Sequence, residues 1–280
     1  MAESLQTTKK PSSKQIEDVL YHYASLFVQE CTFELGWRDL SKDIVMDVGS
    51  GRNLNCSNVI LKEFPDVRAL IAIDKDQSVF ETPDHLDERI SCYVANILYK
   101  DTLKPFISKI DKVISTNVIH KISRKRPIFQ NVYRMLKPGG EAAFFFLLDS
   151  CYYQFLTKLL KIPKFKDMFK GRYNPNMYPK HRRYLYYKDM LEDVGFCDVV
   201  SKVEEKIYPH PSEEDWKNAL YAAYKDSFEI SPESVDEIKE IAFQIYLRTI
   251  ERYEGEPCYR VLSISLFCKK EKSTKILCEV

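Results

Sequence analysis

Histidine is scarce in this chain, with 5 in 280 residues, and no two cysteines stand as Cys-x-x-Cys. The eight cysteines (Cys31, Cys56, Cys92, Cys151, Cys197, Cys258, Cys268, Cys278) are scattered. That pattern argues against a zinc site and makes reduced, buried thiols the default. An excess of either charge is missing too. Lys and Arg number 42 against 41 Asp and Glu, a net charge of +1, so no global field draws the chain to nucleic acid or membrane. There is no signal peptide and no run of about 18 apolar residues, so no stable membrane insertion is expected and the expected location is cytoplasmic. What is abundant is apolar: 45% hydrophobic residues, with 18 Tyr and 16 Phe. That is enough to bury one large domain, or a domain and a cap, around an apolar pocket. A packed core accounts for most of these aromatics equally well.

The chain is organised around residues 44–74. Ile44-Val45-Met46-Asp47-Val48-Gly49-Ser50-Gly51-Arg52-Asn53 runs into a helical stretch, and Ala69-Leu70-Ile71-Ala72-Ile73-Asp74 follows. An apolar run meeting Asp-x-Gly-x-Gly, then a second apolar run ending in an acid, reads as a βαβ unit with a nucleoside-binding turn. Gly49 and Gly51 permit a sharp turn and let a ligand approach bare backbone. Asp74 stands 23 residues after Gly51, close to the ~20 at which an acid meets ribose hydroxyls. The third glycine of the dinucleotide fingerprint is replaced by Leu54, which leaves little room for a pyrophosphate. An acid at the strand tip suits a cationic cofactor such as S-adenosyl-L-methionine (SAM), which has a ribose, an amino group and a sulfonium but no phosphate. The turn resembles motif I of the class I SAM-dependent methyltransferases. That family usually has glycine where this chain has Asn53, a residue that tolerates positive φ.

The remaining segments fit a seven-stranded α/β order. Residues 1–14 read as a disordered tail. From Gln15 a helix is expected, with Ile16, Leu20, Tyr23 and Phe27 on one face; the region 15–40 is a candidate lid, with Tyr23, Phe27 and Gln29 as substrate contacts. The cofactor core spans 43–150. Within it, strand three ends at Asn96-Ile97. Strand four delivers Thr116-Asn117-Val118-Ile119-His120-Lys121 to the crevice at the strand ends. His120 is expected to titrate near neutral pH, or else to be a hydrogen-bonded helix-start histidine. After Arg126–Lys137, Gly139 and Gly140 are expected to cap the helix, and Ala142–Leu148 to form a central strand apolar on both faces.

A basic insertion, 151–186, gathers Lys158, Lys161, Lys164, Lys166, Lys170, Arg172, Lys180, Arg182 and Arg183 against Asp167 alone, with Phe165, Phe169, Tyr173 and Tyr178 between them. Bases and phosphates, anionic lipid or a carboxylate would each suit that pattern; so would a solvated loop. Strand six follows, Phe196 to Tyr208. A helical pair within 210–255 then opens at Ser212 with a capping-box outline and at Ser231-Pro232. It reads as a cap inserted before the last strand, with Trp216 and Tyr224 as walls of an elongated apolar site, or simply as two helices packed on each other. Residues 271–280 form a tail.

In order and length, 21–269 resembles the insect-type juvenile hormone acid O-methyltransferases. The resemblance rests on Gln130-Asn131-Val132-Tyr133-Arg134-Met135-Leu136-Lys137-Pro138-Gly139-Gly140 with its apolar strand, on the strand-four tip ending Ile-His, on the cap and on the glycine turn. It implies a Rossmann-like, mostly parallel sheet with an antiparallel last strand. It implies SAM as cofactor, held by Asp47, Gly49, Ser50, Gly51, Asn53, Asp74, Lys75, Asn96, Ile97 and Thr116. It also implies methylation of the carboxylate of a small apolar acid of farnesoic, juvenile-hormone-acid or fatty-acid type. His120 and Lys121 would steer that acid. The family has Trp after the histidine, where this chain has Lys121. With Asn53 and Asn96, this departure also fits a SAM- or lipid-binding protein that has lost catalysis. No nucleic-acid partner is expected, and a monomer or homodimer is.

Overall fold

The computed structural model describes residues 13–81, 86–171, 185–209, 212–250, 252–253 and 256–272; the side chains of 13–19, 208–209, 253 and 256–257 are not described. The expectations for the outer tails, for 172–184 with its cations and tyrosines, and for the side chains of Ile16 and Tyr208 therefore lie outside the described residues.

The strands are β1 (Ile44–Val48), β2 (Ala69–Asp74), β3 (Ile90–Val94), β4 (Ile110–Thr116), β5 (Leu136–Ser150), β6 (Phe196–Pro209), β7 (Arg252–Tyr253) and β8 (Glu256–Lys270). Their spatial order is β3-β2-β1-β4-β5-β8-β6, with the two-residue β7 pairing β8 off this path. β1 to β5 pair in parallel, and β8 enters antiparallel between β5 and β6. This is the expected seven-stranded class I methyltransferase sheet. The order reverses direction at β1 and β4, and ligands in such sheets bind at the strand ends beside that reversal.

By contacts the chain divides into two compact units. The larger comprises Leu20–Leu147, Met177–Glu204 and Ser263–Val280. Its core joins β1, β2 and β4 through Val45, Leu70, Ala72 and Ile114 to helix α1 (Ser13–Glu34) through Ala24, Phe27 and Val28. Helix α2 (Asn55–Glu63) turns Cys56, Val59 and Ile60 inward. Helix α3 (Lys100–Leu103) precedes β4. Helix α4 (Lys125–Met135) buries Ile128, Phe129, Val132 and Met135, the face its periodicity predicts.

The end of α4 departs from the glycine-cap expectation. Leu136 leaves the helix in extended conformation, and β5 has already begun there. Ile110 pairs with Leu136, but Lys112 pairs with Glu141. Between those pairs four residues of β5 (137–140) stand against Asp111 alone, and Gly139 (φ +80) and Gly140 fall in that irregularity. A Cβ on Gly140 would stand 3.0 Å from the Asp111 carbonyl oxygen. The glycines serve a bulge between strands rather than a helix end.

The second unit comprises Met1–Val19, Leu148–Asn176 and Glu205–Leu262. It joins the start of the expected basic insertion to the expected cap. Helices α5 (Cys151–Leu159) and α6 (Pro163–Met168) precede the gap in the described chain, and α7 (Tyr186–Val194), in the larger unit, follows it. Helices α8 (Glu213–Tyr224) and α9 (Val235–Leu247) complete the small unit. Phe155, Phe165, Tyr224, Phe228, Phe243 and Tyr246 pack its core. Ser212 caps α8, its hydroxyl accepting from the Asp215 amide at 3.2 Å, as the sequence outline predicts. Lys164 pairs with Glu237 and Lys170 with Glu229, each at 2.7 Å. Part of the basic segment is therefore neutralised by acids distant in sequence. Exposed pairs of this kind add little to stability.

Candidate active site

A hollow of about 160 Å³ opens where β1 and β4 end. The glycine turn lines it with Gly49, Ser50, Gly51, Arg52 and Asn53, and the end of β4 with the residues after it adds Thr116, Asn117 and Val118. Asp47, Lys121 and Leu20 also reach it. A larger hollow of about 370 Å³ lies beside α3 and α4, lined by Leu103, Ile107 and Met135 under Lys100, Lys104 and Arg134. None of the candidate site residues borders that larger one.

The two glycines of the turn answer different needs. Gly49 has φ +72, and its amide donates to the Ile73 carbonyl at 2.8 Å. A Cβ there would come within 2.4 Å of Val118 Cγ2, so glycine at 49 is a packing requirement. Gly51 has φ +62 and its missing Cβ would meet nothing within 4 Å. Glycine at 51 therefore serves the backbone conformation and leaves bare chain beside open space. Positive φ next falls on Leu54 (φ 48), not on Asn53. Leu54 is buried in the core and Arg52 is exposed, so Leu54 does not line the hollow.

Two carboxylates flank the turn. Asp47 is buried, and Ser57 donates to its Oδ2 from both the amide (3.2 Å) and the hydroxyl (2.9 Å). Burial raises its pKa to about 6, with Asp74 adding a smaller push and the Ser57 bonds opposing. Asp74 accepts from the Gly51 amide at 3.2 Å through Oδ2 and from the Asp76 amide at 3.1 Å through Oδ1. The acid at the tip of β2 is thus bonded to the turn at the tip of β1. Ser50 Oγ is buried with no hydrogen-bond partner among the described residues, a polar atom left for a ligand.

The strand-four tip corrects the expectation for His120. It is buried, and desolvation lowers its pKa to about 3, with Lys121 and Lys125 adding repulsion. It is neutral across physiological pH and does not titrate there. Lys121 is exposed at the hollow; desolvation by the surrounding walls and repulsion from Lys75 lower its pKa, and Asp74 raises it. Thr116 Oγ1 lies 3.2 Å from Cys56 Sγ.

Other candidates lie elsewhere. Asn96 Oδ1 accepts from the Leu98 amide at 3.0 Å, so its side-chain oxygen serves a turn. Ile97 is buried and its carbonyl accepts from Asn131 Nδ2 at 2.7 Å. Lys75 is exposed. On α1, Leu20 reaches the hollow while Phe27, about 10 Å further along the helix, is in the core against Phe145 and Phe267, each at 5.6 Å between ring centres. Tyr23 is half-buried, stacked on Phe145 at 6.0 Å, and Gln29 is exposed. Trp216 and Tyr224 are in the small unit. There Trp216 packs on Tyr246 and Tyr259, and Tyr224 on Phe155 and Phe228.

Sequence reasoning missed Ser57 and Lys125. Ser57 is an ordinary residue brought to Asp47 by packing alone, with no local pattern to find it. Lys125 stood one residue before the expected helix start; its charge at a position facing inward was a signal available in the pattern.

A family described as "Methyltransferase domain" matches residues 46–144. A juvenile hormone acid O-methyltransferase of Drosophila melanogaster is 24% identical over 194 residues, which cover 67% of this chain and 65% of that protein. Among solved structures, a protein of Bacillus halodurans C-125 described as a methyltransferase aligns with TM-score 0.56 at 16% identity, over 89% of this chain and 99% of its own. A protein from Galdieria sulphuraria described as a sarcosine dimethylglycine methyltransferase aligns with TM-score 0.56 at 14% identity, over 92% of this chain and 89% of its own. At these identities the structural likenesses establish the fold.

Proposed function

We propose that this chain, whose residues 46–144 form a methyltransferase domain of the class I, SAM-dependent fold, transfers a methyl group to the carboxylate of a small apolar acid. The observation that carries the reading is the bond from the Gly51 amide to Asp74, which ties the β2 acid to the glycine turn that lines the hollow. The donor set suits SAM. Bare backbone at Gly51 admits the adenosyl group, Asp74 can receive ribose hydroxyls, and Asp47 supplies negative charge for the ammonium and sulfonium. The orphan Ser50 hydroxyl would pair with the ligand's polar end. When bound, SAM supplies an electrophilic methyl on a positive sulfur.

The finer choice of substrate is supported by the Drosophila relative, which acts by its name on juvenile hormone acid. A carboxylate is ionised at pH 7, its pKa being about 4 to 5, so transfer to it needs no general base. That agrees with a strand-four tip whose histidine, His120, is held neutral. Lys121 remains to attract the carboxylate by charge. Alignment and exclusion of water would supply most of the acceleration, up to roughly 7–11 kcal/mol in the best models.

A second reading, a SAM- or lipid-binding protein without turnover, is favoured by two observations. Lys121 already interacts with Asp74, and Asn96 spends its carbonyl oxygen on a turn. Calorimetric titration with SAM, followed by turnover on farnesoic and fatty acids, separates the two. Binding with turnover supports the transferase, binding without turnover supports the second reading, and no binding removes the transferase and every SAM-binding reading, leaving lipid binding alone.

A further inference from the structure

We propose that Lys125 is a positioning residue for the transfer site: its buried ammonium gathers the carbonyl oxygens of the turn that presents Val118 and Lys121 to the hollow. This rests on the methyltransferase reading only for the meaning of the hollow; the clamp itself is a property of the folded chain. Lys125 is the first residue of α4, yet its side chain turns inward and is 6% exposed. Its Nζ donates to the carbonyl oxygens of Ile119 at 2.6 Å, of His120 at 3.4 Å and of Ile122. An ammonium has three donors and no acceptor, which matches three converging carbonyls. No carboxylate bonds or bridges to it among the described residues.

A buried cation without a counter-ion is costly, so its retention needs a reason. The place it holds supplies one. Residues 116–121 leave β4 and line the hollow with Thr116, Asn117, Val118 and Lys121. The segment is already constrained at its start: Asn117 has φ +57 and its amide donates to the Phe145 carbonyl at 2.9 Å, while Val118 fills the space where Gly49 lacks a Cβ. Its far end, residues 119–122, is held by the Lys125 ammonium. The titratable group coupled to Lys125 is His120, which burial holds neutral. Deprotonation would leave one amine to satisfy three carbonyls. Desolvation lowers the Lys125 pKa to about 8, so the clamp is expected to weaken on mild alkalinisation.

The test uses the full chain with Lys125→Met, read by hydrogen–deuterium exchange of the 116–122 peptide without ligand and by SAM affinity. The exchange of that peptide is expected to rise about tenfold, the scale of losing a charged hydrogen bond, and the SAM Kd to rise with it, while the β2 and α9 peptides stay unchanged. Unchanged exchange at 116–122 would overturn the proposal. If the variant does not fold, the wild-type chain decides: its exchange at 116–122, corrected for the intrinsic base-catalysed rate, must increase as pH passes about 8, and a flat corrected rate overturns the proposal. Faster exchange in a protein that binds no SAM keeps the clamp and removes the methyltransferase reading alone.

Discussion

Replacing Asp47 by Asn should stabilise the ligand-free protein and weaken its hold on SAM at the same time. The carboxyl is buried and its pKa rises from 3.8 to about 6. At 1.36 kcal/mol per pKa unit, keeping it ionised costs the folded state about 3 kcal/mol. The sign follows from proton linkage. The folded protein holds this proton more tightly than the unfolded chain, so the group destabilises the fold increasingly as pH rises from about 4 to 6, and fully above it. Asparagine keeps an oxygen to accept from the Ser57 amide and hydroxyl and carries no charge. Urea unfolding of both proteins between pH 4 and 8 measures the difference. Asp47→Asn should match the wild type near pH 4 and exceed it by up to ~3 kcal/mol at pH 7. A bound cation would relieve the same penalty, so SAM binding near pH 6 should release a fraction of a proton, seen as a buffer-dependent heat. A stability difference that does not vary with pH would refute the reasoning, because the burial of the charge would then not be its source.

Gly49→Ala should destabilise by about 2–4 kcal/mol, from the Val118 overlap added to a left-handed backbone, whereas Gly51→Ala should cost about 1 kcal/mol yet raise the SAM Kd; melting curves and calorimetry separate them. Activity should show no limb from His120 between pH 6 and 8, because burial keeps that imidazole neutral; a limb in that range that disappears in His120→Gln would contradict this. Phe27→Ala should cost about 3–5 kcal/mol by emptying a core site while leaving the KM for an acid substrate near wild type. A raised KM in that variant at unchanged stability would move Phe27 back to the substrate site.

The parts that were legible in the chain are those written locally. The βαβ unit announced itself because the apolar runs, the glycines and the acid all fall within 44–74, and β1, α2 and β2 form there. The strand-four tip was likewise readable as a segment. Its electrostatics were not, since the burial that silences His120 comes from residues packed on it from elsewhere in the chain. Gly139 and Gly140 were misassigned for a similar reason: a positive φ after a helix looks the same in sequence whether it caps the helix or opens a bulge, and the partner that decides is β4. Phe27 and Leu20 share an apolar face, and periodicity cannot say which of them lies over the core. The basic segment looked unopposed because Glu229 and Glu237, which answer it, are more than fifty residues on.

Leu54 adopts a left-handed backbone that a leucine resists, and it does so at the start of α2, with its side chain in the core. Such a residue behaves as a sprung catch: the interior grips the isobutyl group and thereby forces the neighbouring loop into shape. Trimming distant core residues that hold it would let the catch relax. Random mutagenesis should therefore recover ligand-affinity defects at positions that never approach a ligand.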